Sequence, residues 1–223
     1  MELIYECEGL FSPDFCSHVI KKFEESIGKE YGMALNDQMR VIKKSLDLPL
    51  NGNPYWTDET NHFVEIIKIG IDKYNTFIQN MQVDKRVKEI TAAHLENVCI
   101  NPPQIQKTSP GDYYHWHHDE LPPPNPRKFT YIIYLNDVEE DSGGTTEFAC
   151  GKNIQPKVGK IVFFPSTWTY FHRGKTLEKG VKYIATASLN MVPTRQINHS
   201  LSGFEHSQFF DMCKNVVIRN NLL

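Results

Sequence analysis

A change in pattern near residue 95 most constrains the fold of this chain. From residue 97 onward, short runs rich in β-branched and aromatic residues alternate with proline and glycine. The runs are VCI, IQKT, YYHWHH, FTYIIYLND, TTEF, KIVFFP, TWTYFH and VKYIATASLN. Seven or eight strands at this spacing predict a sandwich or a barrel.

The chain before this point has helical periodicity. Ser12 is a predicted N-cap, Pro13 occupies the first helical position, and apolar residues follow at helical spacing through residue 26. A second run of apolar residues, three or four apart, predicts a helix over 57–81. Between the two helices, SLDLPLNGNPYW is interpreted as a turn-rich loop. We therefore expect a mainly β fold (α+β) with N-terminal helices packed outside the core.

The length of 223 residues is enough for one domain with its own core. We expect a single domain over 1–223. It comprises a helical lead-in at 1–95, a β core at 96–192 and a C-terminal extension at 193–223, whose sequence has no clear pattern.

Charge and cysteine usage argue against several classes of protein. The net charge of −3 provides no basic field for a phosphate backbone, so nucleic acid is not an expected partner. Five cysteines without CxxC spacing argue against a disulfide framework and a thiolate zinc site. We find no signal peptide and no long apolar run, so we expect no membrane span and a cytoplasmic location.

The stretch DYYHWHHDE (112–120) contains candidate metal ligands. If it forms a strand, Tyr113, His115, His117 and Asp119 share one face. Residues two apart on a strand are separated by roughly 7 Å, so two such side chains can reach one ion at about 2 Å from each ligand atom. His117 can therefore pair with His115 or with Asp119, and the local pattern leaves both pairings open.

Two later residues extend this site. His172 ends an aromatic run, and Lys182 follows ten residues later on the next predicted strand. If His172 joins His117 and Asp119, the trio covers one face of an octahedral ion, as in non-haem Fe(II) oxygenases. A lysine near such an ion can neutralise the distal carboxylate of a dicarboxylate cosubstrate.

At these residues the chain resembles the Fe(II)- and 2-oxoglutarate-dependent dioxygenases, most closely their prolyl 4-hydroxylase branch. The resemblance extends over residues 97–190. Its pieces are SPGDYYHWHHD, RKFTYIIYLNDVEEDSGGTTEF, QPKVGKIVFFPS and HRGKTLEKGVKY, in the order in which the family has its equivalent motifs.

The resemblance implies a role for each candidate residue. The implied metal-ligating and catalytic residues are His117, Asp119 and His172. The implied residues for binding 2-oxoglutarate are Lys182, Tyr134 and Thr146. The candidates for contact with the substrate are Tyr114, Trp116, Trp168 and Arg173.

The resemblance also implies a fold and a reaction. The fold is a double-stranded β-helix, which is a cupin-like jelly roll. The implied cofactors are Fe(II), 2-oxoglutarate and O2, with ascorbate as a further reductant. The implied reaction is hydroxylation of an unactivated C–H bond, with prolyl residues of a peptide or protein as the expected target and succinate and CO2 as co-products.

Several alternatives stay open at this point. Thr108 and Ser188 stand where the family often has tyrosine and tryptophan, so the substrate can instead be a free amino acid, a small metabolite or another protein residue. A cupin-like metal protein using His115, His117 and His172, or a non-catalytic β-sandwich, are the alternatives outside the oxygenases. The proline-rich segment at 120–128 is a candidate lid. No sequence feature indicates the oligomeric state.

Overall fold

The computed structural model of the chain describes residues 2–32, 34, 41–96, 98–121 and 126–191. The predicted C-terminal extension at 193–223 and the proline-rich centre of the candidate lid at 122–125 lie outside the described residues. The helices are α1 (Pro13–Glu25), α2 (Thr57–Gln79) and α3 (Lys85–Glu96). The strands are β1 (Tyr5–Cys7), β2 (Glu30–Gly32), β3 (Lys43–Pro49), β4 (Val98–Ile100), β5 (Gln104–Thr108), β6 (Tyr113–His117), β7 (Arg127–Tyr134), β8 (Thr146–Phe148), β9 (Asn153–Ile154), β10 (Ile161–Pro165), β11 (His172–Gly174) and β12 (Lys182–Met191).

The strands form one curled antiparallel sheet. Its order is β1-β10-β7-β12-β5-β3-β6-β11-β8-β9, while β2 pairs with β3 and β4 with β12. Strand β3 joins the two halves of the sheet, because residues 46–49 pair with β5 and residues 43–44 pair with β6. The mainly β fold with flanking helices is therefore confirmed.

The helices cover the outer face of the larger half of the sheet. The ring of Tyr74 on α2 stacks on Phe163 with ring centroids 5.6 Å apart, and its hydroxyl donates a 2.7 Å hydrogen bond to the carbonyl of Leu3. Tyr131 and Ile133 of β7 pack into the same core cluster. Since side chains alternate along a strand, the residues between them face the opposite side, where the cavity lies.

The helix predicted over 12–26 begins and ends within a residue of its predicted bounds. The hydroxyl of Ser12 accepts a 3.2 Å hydrogen bond from the amide of Phe15, as expected of an N-cap. The second predicted helix occurs as α2. In the described part of the chain, no helix has both the length and the apolar character needed to cross a bilayer.

Two local predictions were wrong. Residues 45–49 were predicted to be loop, but they belong to β3, where Ser45 and Asp47 face the cavity and Leu48 faces the helical core. This strand looked like a loop because the polar residues of its inner face resemble turn residues. The run TWTYFH was predicted to be a strand, but residues 168–170 form a 3₁₀ turn and β11 begins only at His172.

The lead-in at 1–95 is more than a set of helices. It contributes β1, β2 and β3 to the sheet, and helix α3 within it was not predicted. The division at residues 95 and 192, with a single domain over the whole chain, stays a prediction.

Candidate metal and cosubstrate site

Three potential metal ligands converge where β6 and β11 meet. Their ligand atoms, from His117, Asp119 and His172, all lie within 4.8 Å of one another. The Nε2 atoms of His117 and His172 are 3.7 Å and 3.6 Å from the two carboxylate oxygens of Asp119. Pairing of β6 with β11 places His117 opposite His172. The amide of Asp119 donates to the carbonyl of Ser166, which anchors the residue just beyond the end of β6.

Both histidine rings are oriented through their second nitrogen. The Nδ1–H of His117 donates to the carbonyl of His115 over 2.7 Å, and the Nδ1–H of His172 donates to the carbonyl of Tyr170 over 3.1 Å. A carbonyl can only accept, so each Nδ1 carries a proton, and it is the Nε2 of the neutral ring that can offer a lone pair on the side of Asp119. This is the arrangement expected of metal-ligating histidines.

The surroundings of the cluster favour an ionised Asp119 carboxylate beside a neutral His117 imidazole. Burial, together with the nearby His172, lowers the pKa of His117 to about 4. Burial acts to raise the pKa of Asp119, but the two histidines, the Thr130 hydroxyl and Arg127 together lower it below its usual value. The Thr130 hydroxyl donates to Asp119 Oδ2 over 2.7 Å. Neutral imidazoles and a carboxylate are the protonation states that metal binding requires.

This donor set fits a divalent first-row transition metal. Two imidazoles and one carboxylate on one side of an ion leave the other positions open for further ligands, which is the facial arrangement of non-haem Fe(II) sites. His115 lies outside the cluster, since its ring stacks on Tyr113 with centroids 4.3 Å apart. The geometry therefore favours the pairing of His117 with Asp119 over its pairing with His115.

Tyr114 lies against the cluster because β6 is irregular. Pairing with β11 matches His117 to His172 but Tyr114 to Gly174, so three steps along β6 oppose two steps along β11. The extra residue is a β-bulge, and it places side chains three residues apart on the same face. The rings of Tyr114 and His117 stack with centroids 3.5 Å apart. Burial raises the pKa of Tyr114 to about 12, so its hydroxyl remains protonated near neutral pH.

Lys182 provides a buried cation in the same cavity. Its side chain is 5% exposed, and its Nζ donates to the carbonyl of Gly144 over 2.7 Å. Burial lowers its pKa from 10.5 to about 8, so the ammonium form still predominates at pH 7. No carboxylate in the described parts of the chain forms an ion pair with it. A buried ammonium without an anion is suited to bind an anionic ligand.

Tyr134 and Thr146 are hydrogen-bonded to each other. The Tyr134 hydroxyl donates to Thr146 Oγ1 over 2.7 Å. Thr146 lines the cavity, whereas Tyr134 lies fully buried behind it among Phe148, Phe164 and neighbouring apolar side chains. In this arrangement Thr146 is the member of the pair that faces the cavity, and the hydroxyl of Tyr134 donates to it from behind.

One cavity of about 500 Å³ contains these groups. The metal cluster, Tyr114, Thr146 and Lys182 all line it. Thr108 and Ser188 line it as well, so the two small residues that depart from the family pattern do face the site.

The other predicted substrate residues lie outside this cavity. Arg173 is positioned over the ring of Trp116 at 4.9 Å and forms an ion pair of 2.5 Å with Glu147. Trp168 is 64% exposed, and its amide donates to the Glu120 carboxylate. None of these side chains lines the cavity.

Two parts of the cavity wall were not found from the sequence. Thr130 contacts Asp119, but a threonine on a predicted strand carries no signal of such a contact. The second is an ion pair on β3, in which Lys43 Nζ lies 2.5 Å from Asp47 Oδ2 and the Ser45 hydroxyl donates to Asp47 Oδ1. The alternation of polar residues through β3 was the available signal for this pair.

Comparisons with known proteins agree with this site. Residues 103–189 match the sequence model described as the 2OG-Fe(II) oxygenase superfamily. The chain is similar to the 2-oxoglutarate and iron-dependent oxygenase domain-containing protein 3 of Xenopus tropicalis, at 27% identity over 95 residues, which is 41% of this chain and 30% of that protein. The Rattus norvegicus protein of the same name is 29% identical over 102 residues, which is 44% of this chain and 32% of that protein. The matched stretch thus spans about a third of the length of these curated relatives.

Solved structures show the same fold. The viral collagen prolyl hydroxylase from Paramecium Bursaria Chlorella virus-1, in complex with 2OG, superposes with a TM-score of 0.62 at 19% identity, covering 86% of this chain and 97% of that one. A prolyl hydroxylase from Trichoplax adhaerens, in complex with a hypoxia inducible factor peptide fragment, has a TM-score of 0.59 at 14% identity, covering 86% and 84%. A Pseudomonas putida prolyl-4-hydroxylase has a TM-score of 0.59 at 13% identity, covering 86% and 95%. These matches confirm the predicted jelly-roll core.

Proposed function

Because residues 103–189 match the sequence model of the 2OG-Fe(II) oxygenase superfamily, we propose that the protein is an Fe(II)- and 2-oxoglutarate-dependent dioxygenase that hydroxylates a prolyl residue in a peptide or protein. One observation carries the proposal. Two histidine Nε2 lone pairs face one carboxylate in a cavity that also contains a buried ammonium group.

The proposed ligands of Fe(II) are His117, Asp119 and His172. Bound iron, together with O2 and 2-oxoglutarate, supplies the oxidising chemistry that replaces a substrate C–H bond with C–OH and releases succinate and CO2. The protein's contribution is to hold the ligands. The Nδ1 hydrogen bonds fix the imidazoles, and Thr130 and Arg127 keep Asp119 ionised.

Lys182 is the proposed partner of the distal carboxylate of 2-oxoglutarate. The contact would be charge-assisted and shielded from water, which makes it stronger than a surface ion pair. Thr146 would donate to the same carboxylate, with its hydroxyl oriented by Tyr134. The carboxylate end of the cosubstrate is thereby separated from the metal end within one cavity.

The prolyl substrate is supported by the resemblance to the prolyl 4-hydroxylase branch and by the position of Tyr114 beside the metal cluster. Trp116, Trp168 and Arg173 would meet a substrate only where it extends beyond the cavity. A second candidate, oxidation of another protein residue or a small molecule, is favoured by the small side chains of Thr108 and Ser188 in the cavity wall.

The test is an anaerobic titration of Fe(II) and then 2-oxoglutarate into apo-protein, followed by visible absorption. We expect a weak metal-to-ligand charge-transfer band, and then succinate after O2 is admitted with ascorbate as reductant. Both signals should disappear in Asp119→Ala and persist in His115→Ala, because the His115 side chain lies outside the cluster.

Two results would contradict the proposal. A folded protein that produces neither band nor succinate is not an oxygenase of this kind. Metal loss in His115→Ala with retention in Asp119→Ala would instead identify a cupin-like site of three histidines.

A further inference from the structure

Two glutamine side chains on β5 face the cavity from one wall. Gln104 and Gln106 are two residues apart on a strand, so both point to the same side, and both line the cavity. The outward residues of this strand, Ile105 and Lys107, face the helices instead. Two primary amides are therefore presented in a row, separated by roughly 6.6 to 6.8 Å along the strand.

Neither amide has a hydrogen-bonding partner among the residues that the structure describes. Gln106 is only 7% exposed. Its amide atoms are not among the buried side-chain atoms that lack a partner in the described chain, so they are accessible from the cavity that the residue lines. The Gln106 amide therefore has unused capacity to donate and to accept, and it is directed into the cavity.

The wall around Gln106 is polar, but the charged side chains described there are already paired with each other. On β3 its neighbour across the strand pairing is Asp47, whose carboxylate is already bound by Lys43 and Ser45. On β12 its neighbour is Ile184. Among the described residues paired with Gln106, no charge is free to bind a carboxylate or an ammonium group, so this wall suits a neutral polar ligand.

Strand pairing places the glutamines between the two ends of the site. Pairing of β5 with β12 sets Thr108 opposite Lys182 and Gln104 opposite Thr186. Farther along β12, Ser188 pairs with Thr130, whose hydroxyl contacts Asp119. Gln104 thus lies toward the end of β12 that adjoins the metal cluster, and the cosubstrate lysine lies at the other end.

We propose that Gln104 and Gln106 bind main-chain amides of an extended peptide, and so make this oxygenase selective for peptides over free amino acids. This inference rests on the proposed function. A primary amide offers a donor and an acceptor together, which matches the N–H and C=O of a peptide bond. An extended peptide repeats equivalent groups every second residue, with the same spacing as the two glutamines.

The test uses the full chain with Fe(II), 2-oxoglutarate and O2, and it measures succinate. The probes are pentapeptides that are N-acetylated and C-amidated, with each amino acid in turn at the centre, and the twenty free amino acids. Without a substrate to hydroxylate, the enzyme forms succinate at a slow, uncoupled rate. We expect at least one capped peptide to increase succinate formation above this rate, and by more than any free amino acid does.

The best peptide is then assayed with variants. Gln106→Leu should raise the peptide KM at least 10-fold, and at least fivefold more than it raises the cosubstrate KM. Gln104→Leu should act in the same direction, and it supplies the test if Gln106→Leu does not fold. Gln82→Leu is the matched control, because Gln82 is exposed beyond helix α2, and it should leave both KM values unchanged.

Methylation of single peptide nitrogens adds a second readout. At the amides that the glutamines contact, N-methylation should raise the KM for wild type but not for the matching Gln→Leu variant. A loss of equal size in both proteins overturns the proposal.

Three further outcomes overturn the inference. They are a free amino acid that surpasses every capped peptide, a peptide KM that does not change in the variants, and a rise in the cosubstrate KM as large as the rise in the peptide KM. Failure of the proposed function is a separate result, because wild type would then form no charge-transfer band and no uncoupled succinate.

Discussion

Replacement of Lys182 by methionine separates binding of the cosubstrate from binding of the metal. Methionine keeps most of the length of the side chain but removes the ammonium group that we propose binds the distal carboxylate. Truncating one partner of a buried charge pair typically costs about 2 to 5 kcal/mol of binding free energy. At about 1.4 kcal/mol per factor of ten, the Kd for 2-oxoglutarate should rise about 30-fold to about 4,000-fold.

The same substitution should not lower the free energy of unfolding of the apo-protein by a comparable amount. In the absence of an anion, burial lowers the Lys182 pKa from 10.5 to about 8, which corresponds to roughly 3 kcal/mol that folding spends on burying this charge. Methionine avoids this cost but loses the hydrogen bond to the Gly144 carbonyl, which offsets part of the gain. We therefore expect Lys182→Met to unfold at a urea concentration equal to or above that of wild type at pH 7.

The pH dependence has a definite sign. Below pH 8 the lysine is protonated in both the folded and the unfolded protein, and the cost of burial is fully present. Between pH 8 and 10.5 the folded protein has lost this proton while the unfolded chain retains it, so the contribution of Lys182 to stability rises with pH. Binding of 2-oxoglutarate needs the ammonium form, so affinity should fall about tenfold per pH unit above about pH 8.

The assay is the anaerobic charge-transfer titration at fixed Fe(II), with iron affinity measured first in the same sample. Lys179→Met is the matched control, because its side chain is 69% exposed and pairs only at 3.5 Å with Asp141. Less than a threefold change in the Kd for 2-oxoglutarate, with iron binding intact, would refute the assignment of Lys182. Affinity that stays constant between pH 7 and 10 in wild type would refute it independently.

Two further predictions concern the metal cluster and the fold. Thr130→Val removes the hydroxyl that donates to Asp119, so Fe(II) affinity measured by calorimetry should fall about 10- to 100-fold. Thr130→Ser keeps a hydroxyl and should retain most of the Fe(II) affinity. Equal losses of affinity in the two variants would show that the hydroxyl is not responsible. Gly159→Ala should cost at least about 2 kcal/mol in urea unfolding, since a Cβ there would collide with the backbone oxygen of Phe11 at a φ of +75°. Gly180 has the same φ, but the space around its Cβ position is open, so Gly180→Ala should lower the free energy of unfolding by less. Similar losses in the two variants would show that small movements relieve the collision at Gly159.

The helices were predictable because their signals are local. Ser12 and Pro13 define the start of α1 within a few residues of sequence, and the apolar face of α2 repeats over 23 residues. Strand β3 was not predicted, since its inner residues Ser45 and Asp47 are polar for a reason that exists only after folding. They face a cavity whose other walls come from distant parts of the chain.

The candidate site was predictable to a similar degree. The spacing around His117 left its pairing with His115 or with Asp119 open, and the resemblance to the dioxygenase family indicated His117, Asp119 and His172, which folding brings together. The hydrogen bond from Thr130 depends on the packing of β7 against the segment after β6, which no spacing rule encodes. The unpartnered amide of Gln106 could not be inferred from sequence either, because the absence of a partner is a property of the folded chain.

The bulge in β6 makes the site depend on a count of residues as well as on their identity. His115 and Trp116 separate Tyr114 from His117, and in a regular strand that spacing would direct the two rings to opposite faces. Loss of the bulge alone would therefore turn Tyr114 away from His117, whereas loss of one intervening residue would leave the two rings two positions apart, where a regular strand places them on one face without a bulge. A tyrosine equivalent to Tyr114 can thus stand three residues before the histidine in a bulged strand or two residues before it in a regular one, and an alignment has to allow a one-residue gap here to match the two.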